Sequence, residues 1–253
     1  MATQGRVYSD RRPMGDGLFN TQGRNGAGHC GIVVERPRLF AGLLPDAYAG
    51  VCRAATARQF NRGEMLHMEG DPVDRVLLLT KGSVKTTKVG RTGSEVIIRL
   101  ALPGDFLGTE GLLWCGKHCT TAEVFRGCQA LVWEGRVFKD LLNRYSILHQ
   151  NMVAILDEHL RELEERFREV ATDRVGARVA LQLLRLVKTI GRPVKEGVEV
   201  GLSREELAQM TGTTLFTVSR LISAWEERGV VKPSREAVSI CDVPSLCAIS
   251  EED

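Results

Sequence analysis

The sequence predicts an α+β chain: a jelly-roll-like β domain, then a long helix, then a C-terminal helix pair with a flanking hairpin. Three observations carry that expectation. Short β-like runs punctuated by glycines fill the stretch from Phe60 to Trp133. A helical pattern with apolar residues spaced alternately by three and four follows. Ser203 to Val230 then reads as two capped helices around a glycine turn.

The elements follow in order. Residues 1–30 carry Gly, Arg, Asn, Gln and Asp with few bulky apolar groups, the composition of a flexible tail. Residues 31–136 form the β domain, with strands expected at Arg75–Thr80, Ser83–Val89, Val96–Leu100, Thr120–Phe125 and Gln129–Trp133. Gly70, Gly82, Gly93 and Gly104 sit where such strands would turn. Residues 137–172 are expected as one long helix. On it Val153, Leu156, Leu160, Leu163, Phe167 and Val170 form a coiled-coil-like seam facing a partner helix. A second line, Leu148, Met152 and Ile155, faces the β domain instead. The competing expectation is a helix buried wholly against its own domain, which the charged flank Arg161, Glu162, Glu164, Glu165, Arg166 and Arg168 opposes.

Residues 173–253 make the last domain. Arg178–Lys188 is amphipathic, Gly191 and Pro193 end it, and Gly197–Leu202 is strand-like. Ser203 and Glu206 fit a capping box, Gly212 supplies the turn, and Thr213 or Thr214 caps the second helix. Val218, Leu221, Ile222 and Trp225 form the apolar side of that helix, and Gly229 ends it. Leu215, Phe216, Ser219 and Arg220 are left near its exposed start, where a recognition helix meets the major groove. Val230–Lys232 and Ala237–Cys241 would add a hairpin, a wing beside DNA. An αα-hairpin used only for packing would need none of these exposed polar groups.

Bulk composition narrows the classes. In 253 residues the net charge is +2. Thr172 to Arg235 nevertheless holds 11 Lys/Arg against 7 Asp/Glu, a local +4, which suits a phosphate backbone. No apolar run is long enough to span a membrane and no apolar leader opens the chain, so a cytoplasmic protein is expected. The seven scattered cysteines are expected as reduced thiols. No catalytic constellation is evident, and the chain is expected not to be an enzyme.

This order of parts resembles the Crp/Fnr family of bacterial transcription regulators, over roughly Leu39 to Cys241. FNRGEMLHMEGDPVDRVLLLTKGSVKT (Phe60–Thr86) is similar to the family's early β-roll strands, and PGDFLGTEGLL (Pro103–Leu113) to the lead-in of its cyclic-nucleotide phosphate cassette. Ser203–Val230 is similar to its helix-turn-helix. The resemblance implies a homodimer on a near-palindromic promoter site that contacts RNA polymerase. The implied dimer residues are Val153, Leu156, Leu160, Leu163 and Phe167. The implied DNA-binding set is Ser203, Thr213, Thr214, Leu215, Phe216, Thr217, Ser219 and Arg220, with Arg220 at the guanine-reading position.

Two departures alter the expectation. Phe216 stands where many members carry a glutamate, so the half-site should differ from the usual one. In the effector pocket (Gly108, Thr109, Glu110, Cys119 and Thr120), Thr109 stands at the ribose-glutamate position and Cys119 at the phosphate-arginine position. Glu110 is one place off and would serve only with a change of register. A buried phosphate without its arginine keeps an uncompensated charge, which argues against cyclic AMP. The effector is otherwise unknown. A haem or iron–sulphur cluster is not supported, since only Cys30 and Cys52 precede the strand-rich stretch. Cys115, His118 and Cys119 are the sharpest candidates for metal or redox chemistry, against small cysteines lining the roll beside a surface histidine. His67, His149 and His159 read as isolated. Two rival functions remain open here. A nucleotide-binding regulatory module controlling an enzyme or channel leaves the helix pair unused, and a jelly-roll metalloenzyme lacks converging ligands.

Overall fold

A computed structural model describes residues 36–252. The expected tail at residues 1–30 lies outside the described residues. A turn of 3-10 helix at Arg38–Phe40 leads into α1 (Pro45–Arg53), opened by proline at its first position. The roll consists of β1 (Thr56–Phe60), β2 (Met65–His67), β3 (Arg75–Val89), β4 (Glu95–Ala101), β5 (Phe106–Leu107) and β6 (Thr121–Glu134), with α2 (Thr109–Trp114) inserted before the last. The sheet order is β1-β6-β3-β4, with β2 also on β6 and β5 also on β3, and every pairing is antiparallel.

The strands expected separately at 75–80 and 83–89 are one strand, and so are 120–125 and 129–133. The sequence breaks mark bulges, not ends: the β3–β6 register shifts between Leu79 and Val84. Gly82 sits in the bulge at φ 77°, and a Cβ there would lie 2.3 Å from the Gly127 carbonyl oxygen. The inward faces of β3 and β6 fill the roll with Leu77, Leu79, Val84, Ala122 and Val124. Trp133 closes one end, donating its indole N–H to the Val51 carbonyl at 2.9 Å among Phe40, Phe106 and Phe138.

The helix expected over 137–172 is two helices, α3 (Gly135–Arg144) and α4 (Ser146–Thr172), parted at extended Tyr145 (φ −123°, ψ 92°). The break lets Phe138 and Leu142 from one, and Leu148 and Met152 from the other, enter the same cluster against the roll. α4 then runs on with its far side uncovered.

The C-terminal unit contains α5 (Val175–Ile190), β7 (Arg192–Val194), β8 (Gly197–Val200), α6 (Arg204–Thr211), α7 (Leu215–Glu227), β9 (Val231–Pro233), β10 (Val238–Ile240) and α8 (Val243–Ser250). Its four strands pair in the order β7-β8-β10-β9. The sequence reading missed α8, which Asp242 caps by accepting from the Ser245 N–H, and which buries Leu246 and Ile249. The core of this unit also takes in Phe125, from β6 of the roll. Arg126 beside it donates to the carbonyls of Ile190 (3.4 Å) and Gly201 (3.2 Å), and Arg62 pairs with Glu236 of the β9–β10 hairpin at 2.7 Å.

Candidate nucleic-acid interface and effector cavity

Local sequence builds the helix pair as expected. The Ser203 hydroxyl accepts from the Glu206 N–H at 3.1 Å, and the Glu206 carboxylate accepts from the Ser203 N–H at 2.7 Å. Gly212 takes φ 61°, and its N–H bonds back to the Ala208 carbonyl. The cap of α7 is Thr214, whose hydroxyl accepts from the Thr217 N–H at 3.2 Å; Thr213 belongs to the turn. Val218, Ile222 and Trp225 are buried, which fixes the rotation of α7 about its axis. Leu215, Phe216 (76% exposed) and Arg220 consequently point outward, with Thr217 and Ser219 half-buried between them. Ser203, expected in the DNA-binding set, is half-buried with its hydroxyl committed to the cap of α6.

On α4 the two expected lines separate. Leu148 and Met152 are buried against the roll with Ile155 beside them, while Val153, Leu160, Leu163, Phe167 and Val170 stand exposed. Leu156 lies between the two, half-buried, and packs on the roll's cluster.

A cavity of about 270 Å³ lies between the roll and α4. Of the expected pocket residues it is lined by Gly108, Glu110, Cys119 and Thr120. Thr109 is not among them: it is 2% exposed and faces a smaller hollow beside Phe106, Met152 and Ile155. Gly108 at φ 88° starts α2 so that position 109 turns inward and position 110 faces the cavity. Glu110, one place beyond the position expected from the resemblance, is thus the acidic residue of α2 that lines the cavity.

The histidines are not isolated. The His67 and His118 rings stack with centroids 3.5 Å apart and planes 7° apart, and both line the cavity. His118 is 5% exposed, held by backbone bonds of its loop to Gly70 and Asp71, whereas Cys115 and Cys119 are exposed. This reverses the alternative of inward cysteines with a surface histidine. Burial, then the neighbouring His118, lowers the His67 pKa to about 4, and burial lowers that of His118. Burial pushes the Cys119 thiol up, with Cys115 adding to it. Among the described residues no group of three or more His, Cys, Asp or Glu could hold a metal ion. His149 is exposed, as read.

Two cavity groups, Arg99 and Arg166, were not assigned to the cavity from the sequence. Arg99 of β4 donates to His159 Nε2 at 2.8 Å and lies 3.7 Å from the Asp105 carboxylate. Arg166 of α4 donates to the Ile98 carbonyl at 2.6 Å. The first stood out only as a lone cation in the strand EVIIRLA, and the second was lost among the charges of the α4 flank.

A β-roll, a half-open helix and a helix-turn-helix whose second helix presents its N-terminal side chains define a DNA-binding transcription regulator. Comparison with known proteins agrees. Residues 57–145 match the cyclic nucleotide-binding domain model and residues 177–249 the Crp-like helix-turn-helix domain model. The chain belongs to the Crp/Fnr family. It is 24% identical over 216 residues to the CRP-like cAMP-activated global transcriptional regulator of Mycobacterium tuberculosis, covering 85% of this chain and 96% of that one. Over 208 residues it is 27% identical to the cyclic AMP receptor protein of Thermus thermophilus, with coverage of 82% and 94%. The fold matches that of FixK2 from Bradyrhizobium japonicum with a TM-score of 0.67 at 21% identity, covering 79% of this chain and 98% of that one. These relatives are regulators, not enzymes, and no helix among the described residues is long and apolar enough to cross a membrane.

Proposed function

We propose that the protein acts as a cytoplasmic homodimer that reads a near-palindromic promoter site and contacts RNA polymerase there. The observation that carries this reading is the rotation of α7. Its inner side is fixed by Val218, Ile222 and Trp225, and Leu215, Phe216 and Arg220 are left outward at its N-terminal end. Two such helices related by a two-fold axis along α4 would stand about 34 Å apart, one turn of B-DNA. The exposed seam from Val153 to Phe167 supplies the surface for that axis.

In this reading Arg220 forks onto guanine O6 and N7, Thr214 and Thr217 lie near phosphate, and Phe216 packs on a thymine methyl in place of a cytosine contact. The cavity is the effector site. With a cysteine at the cassette's arginine position, cyclic AMP is not its expected ligand. A ligand module acting on another enzyme or channel would leave the outward face of α7 without a task.

The deciding experiment is gel retardation of promoter fragments against shuffled DNA of equal length. Sequence-dependent retardation at two-fold stoichiometry is expected. Equal retardation of both DNAs would remove the reading.

A further inference from the structure

The cavity has lost the cassette arginine, yet it is not short of cations. Arg99 and Arg166 both line it, one from β4 and one from α4, and each already reaches across to the other part: Arg99 donates to His159 of α4 and Arg166 to the Ile98 carbonyl of β4. Their present partners leave much of each fork unused. Arg99 meets a neutral imidazole nitrogen and a carboxylate beyond hydrogen-bond range, and Arg166 meets one carbonyl. We propose that the cavity takes a compact organic oxyanion, a carboxylate or phosphoryl group, gripped between Arg99 and Arg166 so that the ligand bridges roll and long helix. This rests on the reading of the cavity as the effector site and names the chemistry of its ligand.

Electrostatics supports the geometry. Burial, followed by repulsion from Arg185 and, more weakly, Arg99, lowers the Arg166 pKa below its ordinary value. Burial and then Arg99 likewise lower the pKa of His159, which keeps that ring neutral. An anion placed between the guanidiniums relieves this repulsion and fills both forks, in the geometry guanidinium offers to carboxylate and phosphate. Glu110 lines the same cavity, so the far end of the ligand is expected to donate hydrogen bonds, as a hydroxyl or amine does. Arg166 also stands three residues before Glu169, whose buried carboxylate pairs with Arg185 of α5. A ligand held by Arg166 thus sits one helical turn from a contact between α4 and the DNA-reading unit.

The test is calorimetry on the full-length chain at fixed ionic strength. The probes are malate and glycerol phosphate, with malamide and glycerol as neutral counterparts. At least one anion is expected to saturate while both neutral probes stay silent, and which anion does so separates carboxylate from phosphoryl. Arg99→Gln and Arg166→Gln are each expected to weaken that binding by about tenfold or more. Arg91→Gln, an exposed site in the β3–β4 turn, should leave it unchanged. Thermal midpoints confirm that the variants fold.

Absence of saturation by either anion at millimolar concentration overturns the proposal. So does affinity within roughly twofold of wild type in both cavity variants. Retardation of promoter DNA, run on the same samples without probe, tells the two failures apart. Retardation without anion binding ends only this inference, whereas a loss of retardation ends the regulator reading.

Discussion

Phe167→Asp is the sharpest test of the dimer axis, because Phe167 lies on the open side of α4 and outside the cavity. It is 76% exposed. A phenylalanine presents about 200 Å² of surface, so about 150 Å² stands open on each protomer. Sequestering that area at about 25 cal/mol per Å² contributes about 4 kcal/mol per protomer, and about twice that for the symmetric pair, as an upper bound. Aspartate forfeits the contribution and sets two carboxylates against each other across the axis. The dimer dissociation constant should rise by about three to five orders of magnitude. Sedimentation velocity over a concentration series measures it, with circular dichroism to show that the helices persist. Val89→Asp, at an exposed apolar site on the roll, is the control. If Phe167→Asp dissociates within about tenfold of wild type, α4 is not the axis.

Further outcomes follow from the same structure. Arg220→Ala should cost about 1–3 kcal/mol on the specific site and less on random DNA, and equal losses by fluorescence anisotropy would argue against base reading. Phe216→Glu should change the sequence selected from random duplexes, and identical selections would dismiss the thymine-methyl contact. His67 has an ordinary pKa of 6.5 and about 4 when folded. The unfolded chain therefore takes up a proton that the folded chain refuses, and stability is whole above the ordinary value and declines as pH falls from there towards the folded one. The loss is at most about 3 kcal/mol, and urea titrations should show it shrinking in His67→Gln; a slope equal to wild type would refute the assignment. Arg126→Ala should speed amide exchange at the end of α5 and in β8 while leaving the roll interior unchanged, and uniform protection would show that its two carbonyl contacts hold nothing.

The helix pair was readable from the sequence because its signals are local. The Ser203–Glu206 box, Gly212 and Gly229 each act within a few residues, and the structure places them as read. Strand limits were less readable, since Gly82 and Gly127 resemble turns but form one bulge in which two glycines face each other. The break at Tyr145 has no glycine or proline to announce it and follows from packing both helices on one cluster. The outward side chains at the start of α7 and the exposed apolar line along α4 could be picked by periodicity. The cavity could not: Arg99, Arg166, His67, His118 and His159 come from four separate elements or loops, and only the closed sheet brings them together.

Phe125 has a consequence for how this chain can be divided. A fragment beginning at residue 173 would leave behind an aromatic ring that fills the centre of its own hydrophobic cluster, together with Leu100 and Leu102 packed at the edge. Such a fragment opens a hole where the roll used to press, and the remaining strands lose the guanidinium that bonds Gly201. Roll and helix-turn-helix unit are in this sense grafted onto each other, and the interior that holds the second upright is partly lent by the first.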